Sequence, residues 1–221
     1  MARSKNYIFR KDDNGELLFQ GDFEGYYQNH SDPWDQNSTD SDISEYYKES
    51  RLKLLKVIKG IKSNKNILEI GCGLGLVTNM LDKELENSII SGVDISSTAI
   101  HKAKAQYSNI SFYEGDIADR KFKSEGQYDV VILNEMLWYV LEDLDLVINN
   151  IYEILNTNGS LIITMAFLND QQYGKEIING YSGLLEYCKL RISSLFKIIS
   201  KDFDATKRFD YNYGIVCLRK L

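Results

Sequence analysis

The stretch Ile67-Leu68-Glu69-Ile70-Gly71-Cys72-Gly73-Leu74-Gly75 is an apolar run that passes directly into three glycines at alternate positions. Such a run reads as a buried strand, and the apolar spacing of Leu74, Leu76, Val77, Met80 and Leu81 beyond it reads as a helix packed on a sheet. Bare Cα atoms at Gly71, Gly73 and Gly75 lift the steric barrier to a close ligand and allow positive φ. Strand, glycine turn and helix in that order place the strand's carboxyl end at a nucleotide crevice of an open α/β sheet.

Two further apolar runs end in acids. Ser88-Ile89-Ile90-Ser91-Gly92-Val93-Asp94 delivers a carboxylate about twenty residues past the turn, where a ribose diol is bound in folds of this kind. Asp94 is the expected diol acceptor. Ile110-Ser111-Phe112-Tyr113 leads into Glu114-Gly115-Asp116-Ile117, which puts Asp116 in reach of an adenine amino group. A dinucleotide dehydrogenase would carry a third glycine where Leu76 stands, so that alternative is disfavoured.

With Glu69, Gly71, Gly73, Gly75, Asp94 and the Gly115-Asp116 pair in order, the chain resembles the class I S-adenosylmethionine-dependent methyltransferases. The likeness runs from Glu69 through the strand near Met165, and less securely to the C-terminus. It implies S-adenosyl-L-methionine as cofactor and S-adenosyl-L-homocysteine as product. The implied cofactor contacts are Glu69, Gly71, Cys72, Gly73, Gly75, Asp94, Ile95, Asp116, Ile117 and Asn134, with Arg51 and Tyr27 from the N-terminal part.

Alternating hydrophobic periods extend the pattern along the chain. Helices are predicted over about 44–61, 75–85, 96–107 and 141–156, and strands near 66–70, 88–93, 109–113, 128–133 and 159–166. Leu144, Val147, Ile148, Ile151 and Leu155 form the buried stripe of the last of these helices. Two final β-runs, Ser194 to Asp204 and Phe209 to Leu218, flank Ala205-Thr206-Lys207-Arg208 and predict an antiparallel hairpin. The fold class is therefore α/β: a doubly wound, Rossmann-like seven-stranded sheet with helices on both faces and an antiparallel C-terminal hairpin.

Length and charge limit the alternatives. The 221 residues suffice for one such sheet and not two. Residues 1–43 read as an N-terminal tail and lid segment, and 44–221 as the methyltransferase domain. A net charge of −6 argues against a phosphate-backbone partner. The basic residues Arg3, Lys5, Arg10 and Lys11 are diluted by Asp12 and Asp13, so that end is expected to be loosely docked and not a nucleic-acid arm. Cys72, Cys188 and Cys217 show no metal spacing and are odd in number, which suits a reducing compartment and a cytoplasmic location. No apolar run approaches a membrane span, and no secretory stretch opens the sequence.

The acceptor side is less sharply written. After the strand Tyr128–Leu133 come Asn134-Glu135-Met136-Leu137-Trp138-Tyr139. Methylases of nucleobases and of protein glutamine carry proline here, whereas Pro33 is the chain's one proline. Glu135 with Trp138 and Tyr139, and Asp32-Pro33-Trp34 upstream, look like the small-molecule branch that includes nodulation-factor N-methyltransferases and sugar methyltransferases. The Tyr-Glu-Arg pattern of those relatives falls ambiguously on Tyr46, Tyr47, Glu49 and Arg51.

Methyl transfer is an in-line displacement. The protein must hold both reactants at roughly 3 Å and take a proton from the nucleophile. Glu135, His30 and Tyr139 are the candidate bases, Glu135 first for its place at a strand end. Trp34, Trp138, Phe167 and Tyr173 are expected to bind the acceptor, and Met165 to Tyr181, with glycines at 174, 180 and 183 as hinges, to form its wall. The expected activity is methylation of an oxygen or nitrogen of a polar small molecule, above all a sugar or sugar nucleotide, with a phosphorylated or amino metabolite next. A noncatalytic methyltransferase-like binding subunit and an aminopropyl transferase remain as other classes, and no metal is expected.

Overall fold

The computed structural model describes residues 7–61, 65–205 and 211–221. A short hairpin, β1 (Phe9–Lys11) and β2 (Leu17–Phe19), precedes the helices α1 (Phe23–Asn29) and α2 (Ser41–Lys59). The alternating part follows: β3 (Asn66–Ile70), α3 (Leu76–Glu84), β4 (Ile89–Asp94), α4 (Ser97–Gln106), β5 (Ser111–Glu114), β6 (Tyr128–Asn134), α5 (Leu144–Ile154) and β7 (Leu155–Leu168). Helix α6 (Gly180–Leu190) and strands β8 (Phe196–Phe203) and β9 (Tyr211–Lys220) complete it.

The large sheet has seven strands in the order β5-β4-β3-β6-β7-β9-β8. The strands from β5 to β7 are parallel, while β9 runs antiparallel to both β7 and β8. Parallel strands are covered on both faces, and β3 accordingly buries Ile67, Leu68, Glu69 and Ile70 in succession. Side chains alternate across the sheet. Ile67 joins Leu54, Ile58, Val77 and Leu81 of α2 and α3 on one face, and Leu68 and Ile70 join Val147, Ile148 and Ile151 of α5 on the other.

The sheet and its antiparallel ending agree with the sequence expectation, with three differences. The α5 stripe closes on Ile154, because Leu155 already opens β7, a 14-residue strand that begins before the predicted 159. Helix α6 is not among the predicted helices and shares only Gly180 and Tyr181 with the segment expected as the acceptor's wall; its Leu184, Tyr187 and Cys188 are buried against the sheet. The N-terminal tail expected to dock loosely is, from Tyr7 onward, folded: Arg10 and Lys11 pair with Leu18 and Leu17, and Ile8 is fully buried. Arg3 and Lys5, and the hairpin turn at 206–208 with the start of the run at Phe209, lie outside the described residues.

Candidate functional site

The turn after β3 is built from backbone that only glycine adopts comfortably. Gly71, Gly73 and Gly75 have φ of +70°, +52° and +75°. The N–H groups of Gly71 and Cys72 both donate to the carbonyl of Val93, at 2.8 and 3.0 Å, which ties the turn to the end of β4. A Cβ at Gly75 would fall 2.7 Å from the Phe112 ring, so this residue also lets α3 close on β5.

Asp94 lies under the turn at 7% exposure. One carboxylate oxygen accepts from the Gly73 N–H at 2.8 Å and the other from the Ser96 N–H at 2.9 Å. Burial raises its pKa to about 6, against the lowering effect of those two amides. Glu69, fully enclosed, accepts from the Thr78 hydroxyl at 2.6 Å, and burial lifts its pKa to about 7. Asn134, which accepts from Thr164 at 2.7 Å, adds a second hydrogen bond to Glu69. These acids fix the ends of β3 and β4.

The N-terminal segment closes over this floor. Glu24 of α1 reaches the first turn of α4, accepting from Ser96 Oγ at 2.6 Å, Thr98 Oγ1 at 2.5 Å and Thr98 N at 3.2 Å; the Ser96 and Thr98 hydroxyls hold its pKa down near 2. Lys102 donates to the carbonyls of Tyr27 and His30 at 2.5 and 3.2 Å. Tyr27, buried, accepts from Trp34 Nε1 at 2.9 Å. A Cβ on Gly73 would lie 2.4 Å from the Tyr27 hydroxyl, and one on Gly71 2.1 Å from Met136 Sδ. The space directly above the turn is thus taken by two side-chain ends.

The remaining predicted residues fall into distinct groups. Tyr139 packs against Phe23, Trp34, Phe9 and Phe19 with ring centroids 5.3 to 6.4 Å apart. Tyr173 meets Phe9 at 5.1 Å, so Trp34, Tyr139 and Tyr173 share one aromatic patch. Trp138 and Phe167 form another with Tyr181 and Phe203, and Phe167 belongs to the core. His30 packs on Tyr7 and Tyr26, with Nδ1 3.1 Å from the Tyr26 carbonyl. Asp116 accepts from the Ala118 N–H at 2.8 Å, Ile117 is buried in the core, and Ile95 is 47% exposed. Of the proposed hinges, Gly174 and Gly180 have positive φ, whereas Gly183 sits within α6.

Glu135 stands at φ +58°, an unusual conformation for a side-chain-bearing residue. Its carboxylate takes hydrogen bonds from the Tyr46 hydroxyl and from the Ala166 N–H at 2.9 Å, joining β6, β7 and α2. Burial raises its pKa against both donors. Arg51, on α2, gives Nη2 to Gln36 Oε1 at 2.9 Å and lies over the Tyr47 ring. Sequence reasoning missed Glu24, Met136 and Lys102 as organisers of the site, and named Tyr46 only as one of several matches to the Tyr-Glu-Arg pattern. Only Glu24 left a local signal, the Asp22 N-cap two residues before it that starts α1. The described cysteines are free, no described group of three His, Cys, Asp or Glu is placed to hold a metal, and no described helix is long and apolar enough to cross a membrane.

A family model described as a methyltransferase domain matches residues 61–205. Malonyl-[acyl-carrier protein] O-methyltransferase of Bacillus cereus is 32% identical over 117 residues, 52% of this chain and 42% of that protein. Nodulation protein S of Azorhizobium caulinodans is 28% identical over 136 residues, 59% of this chain and 61% of that protein. The chain spans about half the length of the curated relatives it matches. Among solved structures, the N-methyltransferase NodS from Bradyrhizobium japonicum in complex with S-adenosyl-L-homocysteine superposes with a TM-score of 0.70 at 18% identity, covering 89% of this chain and 97% of that one. Magnesium protoporphyrin IX methyltransferase from Synechocystis with bound S-adenosylmethionine gives 0.66 at 16% identity, with 90% and 95% covered.

Proposed function

The chain belongs to the methyltransferase domain family, and from that premise we propose that it moves a methyl group from S-adenosyl-L-methionine to an oxygen or nitrogen of a polar small molecule. The methyl donor is S-adenosylmethionine, and it supplies an electrophilic carbon on a sulfonium. Asp94 holds the ribose hydroxyls, Asp116 faces the adenine edge, and the glycine turn runs beneath the amino-acid part. The observation that carries this reading is the buried Asp94 carboxylate pinned under Gly73, with positive φ at each turn glycine.

The acceptor we favour is a sugar or sugar nucleotide. The patch of Trp34, Tyr139 and Tyr173 supports it, since apolar ring faces with few polar groups suit the C–H face of a sugar. Residues 1–43 serve as lid over the domain 44–221, and Glu135 takes the acceptor's proton, with Tyr139 and His30 as the alternatives. The three free cysteines fit a cytoplasmic setting. The test is calorimetric titration with S-adenosylhomocysteine, followed by a mass-gain screen of sugar nucleotides, phosphorylated metabolites, amines and acyl thioesters. Binding should be micromolar or tighter and fall at least tenfold in Asp94→Ala; equal affinity in both proteins refutes the site. Binding with no methylation of any acceptor would instead favour a noncatalytic subunit.

A further inference from the structure

The two edges of the large sheet are unequal. Strand β5 gives four residues to one rim and β8 gives eight to the other. On β8, Lys197 and every residue from Ile199 to Phe203 are exposed, including the large apolar side chains of Ile199 and Phe203 at 39% and 38%. Among the described residues no strand pairs with the outer side of β8. Such an edge offers a row of backbone N–H and C=O groups to one further strand.

The charges on this rim are unbalanced. Lys197 stands opposite Arg219 in the β8–β9 ladder, and like charges directly across a ladder are destabilising. None of the ion pairs among the described residues engages Lys197, Arg219 or Asp202. The same ladder fixes the face of each side chain. Ile198, Lys201 and Phe203 pair with Leu218, Val216 and Gly214 on the face that α5 and α6 cover, whereas Lys197, Ser200 and Asp202 pair with Arg219, Cys217 and Ile215 on the face of α2 and α3. In a regular strand, positions 197 and 202 would point to opposite faces. The extra residue Ile199, at the register shift between Ile198 and Ser200, is what brings Lys197 and Asp202 to the same one.

We infer that the outer edge of β8 pairs antiparallel with the same edge of a second copy of this chain, about a two-fold axis between Ile199 and Ser200. In that register Phe196 of one copy lies opposite Phe203 of the other, Lys197 opposite Asp202, and Ile198 opposite Lys201. Each of these pairs shares a face of the sheet, and a slip of one residue sets opposite faces against each other. Each Lys197 gains the carboxylate that balances its Arg219 neighbour, and symmetry makes the pair twice. Lysines and a bulge ordinarily guard an edge against other strands. Here both copies bring the bulge to the axis, and the matching partner must carry an acid five places beyond a lysine, as β8 itself does.

Sedimentation of the full chain should show a monomer–dimer equilibrium with a Kd of about 100 µM or tighter, the weak range proper to so small a contact. Lys197→Asp and Asp202→Lys each set like charges opposite one another at both symmetric positions, and each should weaken dimerisation about tenfold or more. Both changes in one chain restore the two pairs, so that variant should return to within about threefold of the wild-type Kd. Amide exchange across 197–203 should slow as the protein concentration rises. A chain that stays monomeric at about 500 µM, single variants that associate as the wild type does, or a double variant no better than the singles would overturn the edge pairing. Both positions are exposed, and recovery in the double variant separates a lost contact from a damaged fold. None of these measurements depends on the methyl-donor reading.

Discussion

Gly73 is held to glycine by two separate effects, and a mutant cycle with Tyr27 divides them. At φ +52° an alanine incurs the left-handed penalty, about 1–2 kcal/mol. Its Cβ would also stand 2.4 Å from the Tyr27 hydroxyl, which must retreat and release the 2.9 Å bond from Trp34 Nε1. Losing that partly buried bond adds about 1–2 kcal/mol. Gly73→Ala should therefore cost about 2–4 kcal/mol, and at roughly 2–4 °C per kcal/mol for a chain of this size the melting temperature should fall by about 9 °C. In Tyr27→Phe the oxygen is gone and the next ring atom lies at 3.4 Å, an ordinary contact. There the same alanine should cost only the backbone strain of about 1–2 kcal/mol. The double mutant is thus expected to be more stable than the sum of the singles by about 1–2 kcal/mol, read from urea unfolding of all four proteins. Additive costs, to within about 0.5 kcal/mol, would mean that Tyr27 does not rest on the turn.

Other perturbations test neighbouring claims. The depressed pKa of Glu24 makes its clasp on α4 fully present above about 4.5 and lost as pH falls toward about 2, so Trp34 fluorescence should change in that window and the change should vanish in Glu24→Ala. Glu69 has the opposite sign: its raised pKa means that stability drains away as pH climbs from about 4.5 to about 7, and Glu69→Gln should flatten that stretch of the stability profile. If Glu135 is the base, Glu135→Gln lowers turnover roughly a hundredfold while S-adenosylhomocysteine affinity holds within about twofold; an unchanged rate would leave it only as the link between Tyr46 and Ala166.

What the sequence made legible was local. The β3 run, its glycines and the acid at the end of β4 are all set by short-range pattern, and each stands where that pattern put it. The α5 stripe was equally readable because Leu144, Val147, Ile148 and Ile151 repeat at the helical period. The packing of α1 and α2 was not, because it comes from partners far along the chain. Glu24 is anchored 72 to 74 residues away, and Tyr46 meets Glu135 across 89. Three-residue strands such as β1 and β2 carry too little alternation to be seen before they pack. Likewise Trp138 and Tyr139, adjacent in sequence, part company in space. One turns to Phe167 and the other to Phe23 and Trp34, a division made by the short 3₁₀ turn at Leu137–Tyr139.

The last strand in chain order is not last in the sheet. Because β9 is inserted between β7 and β8, its ladder to β7 joins residues far apart in the chain, whereas its ladder to β8 joins near neighbours, Phe203 opposite Gly214 at the closest. The β8–β9 pair is local and the five parallel strands are not, so the long rim of β7 stays bare until the parallel slab has formed and β9 docks on it. During that interval the uncovered rim invites pairing with other molecules, so aggregation during refolding should be governed by how quickly β9 arrives.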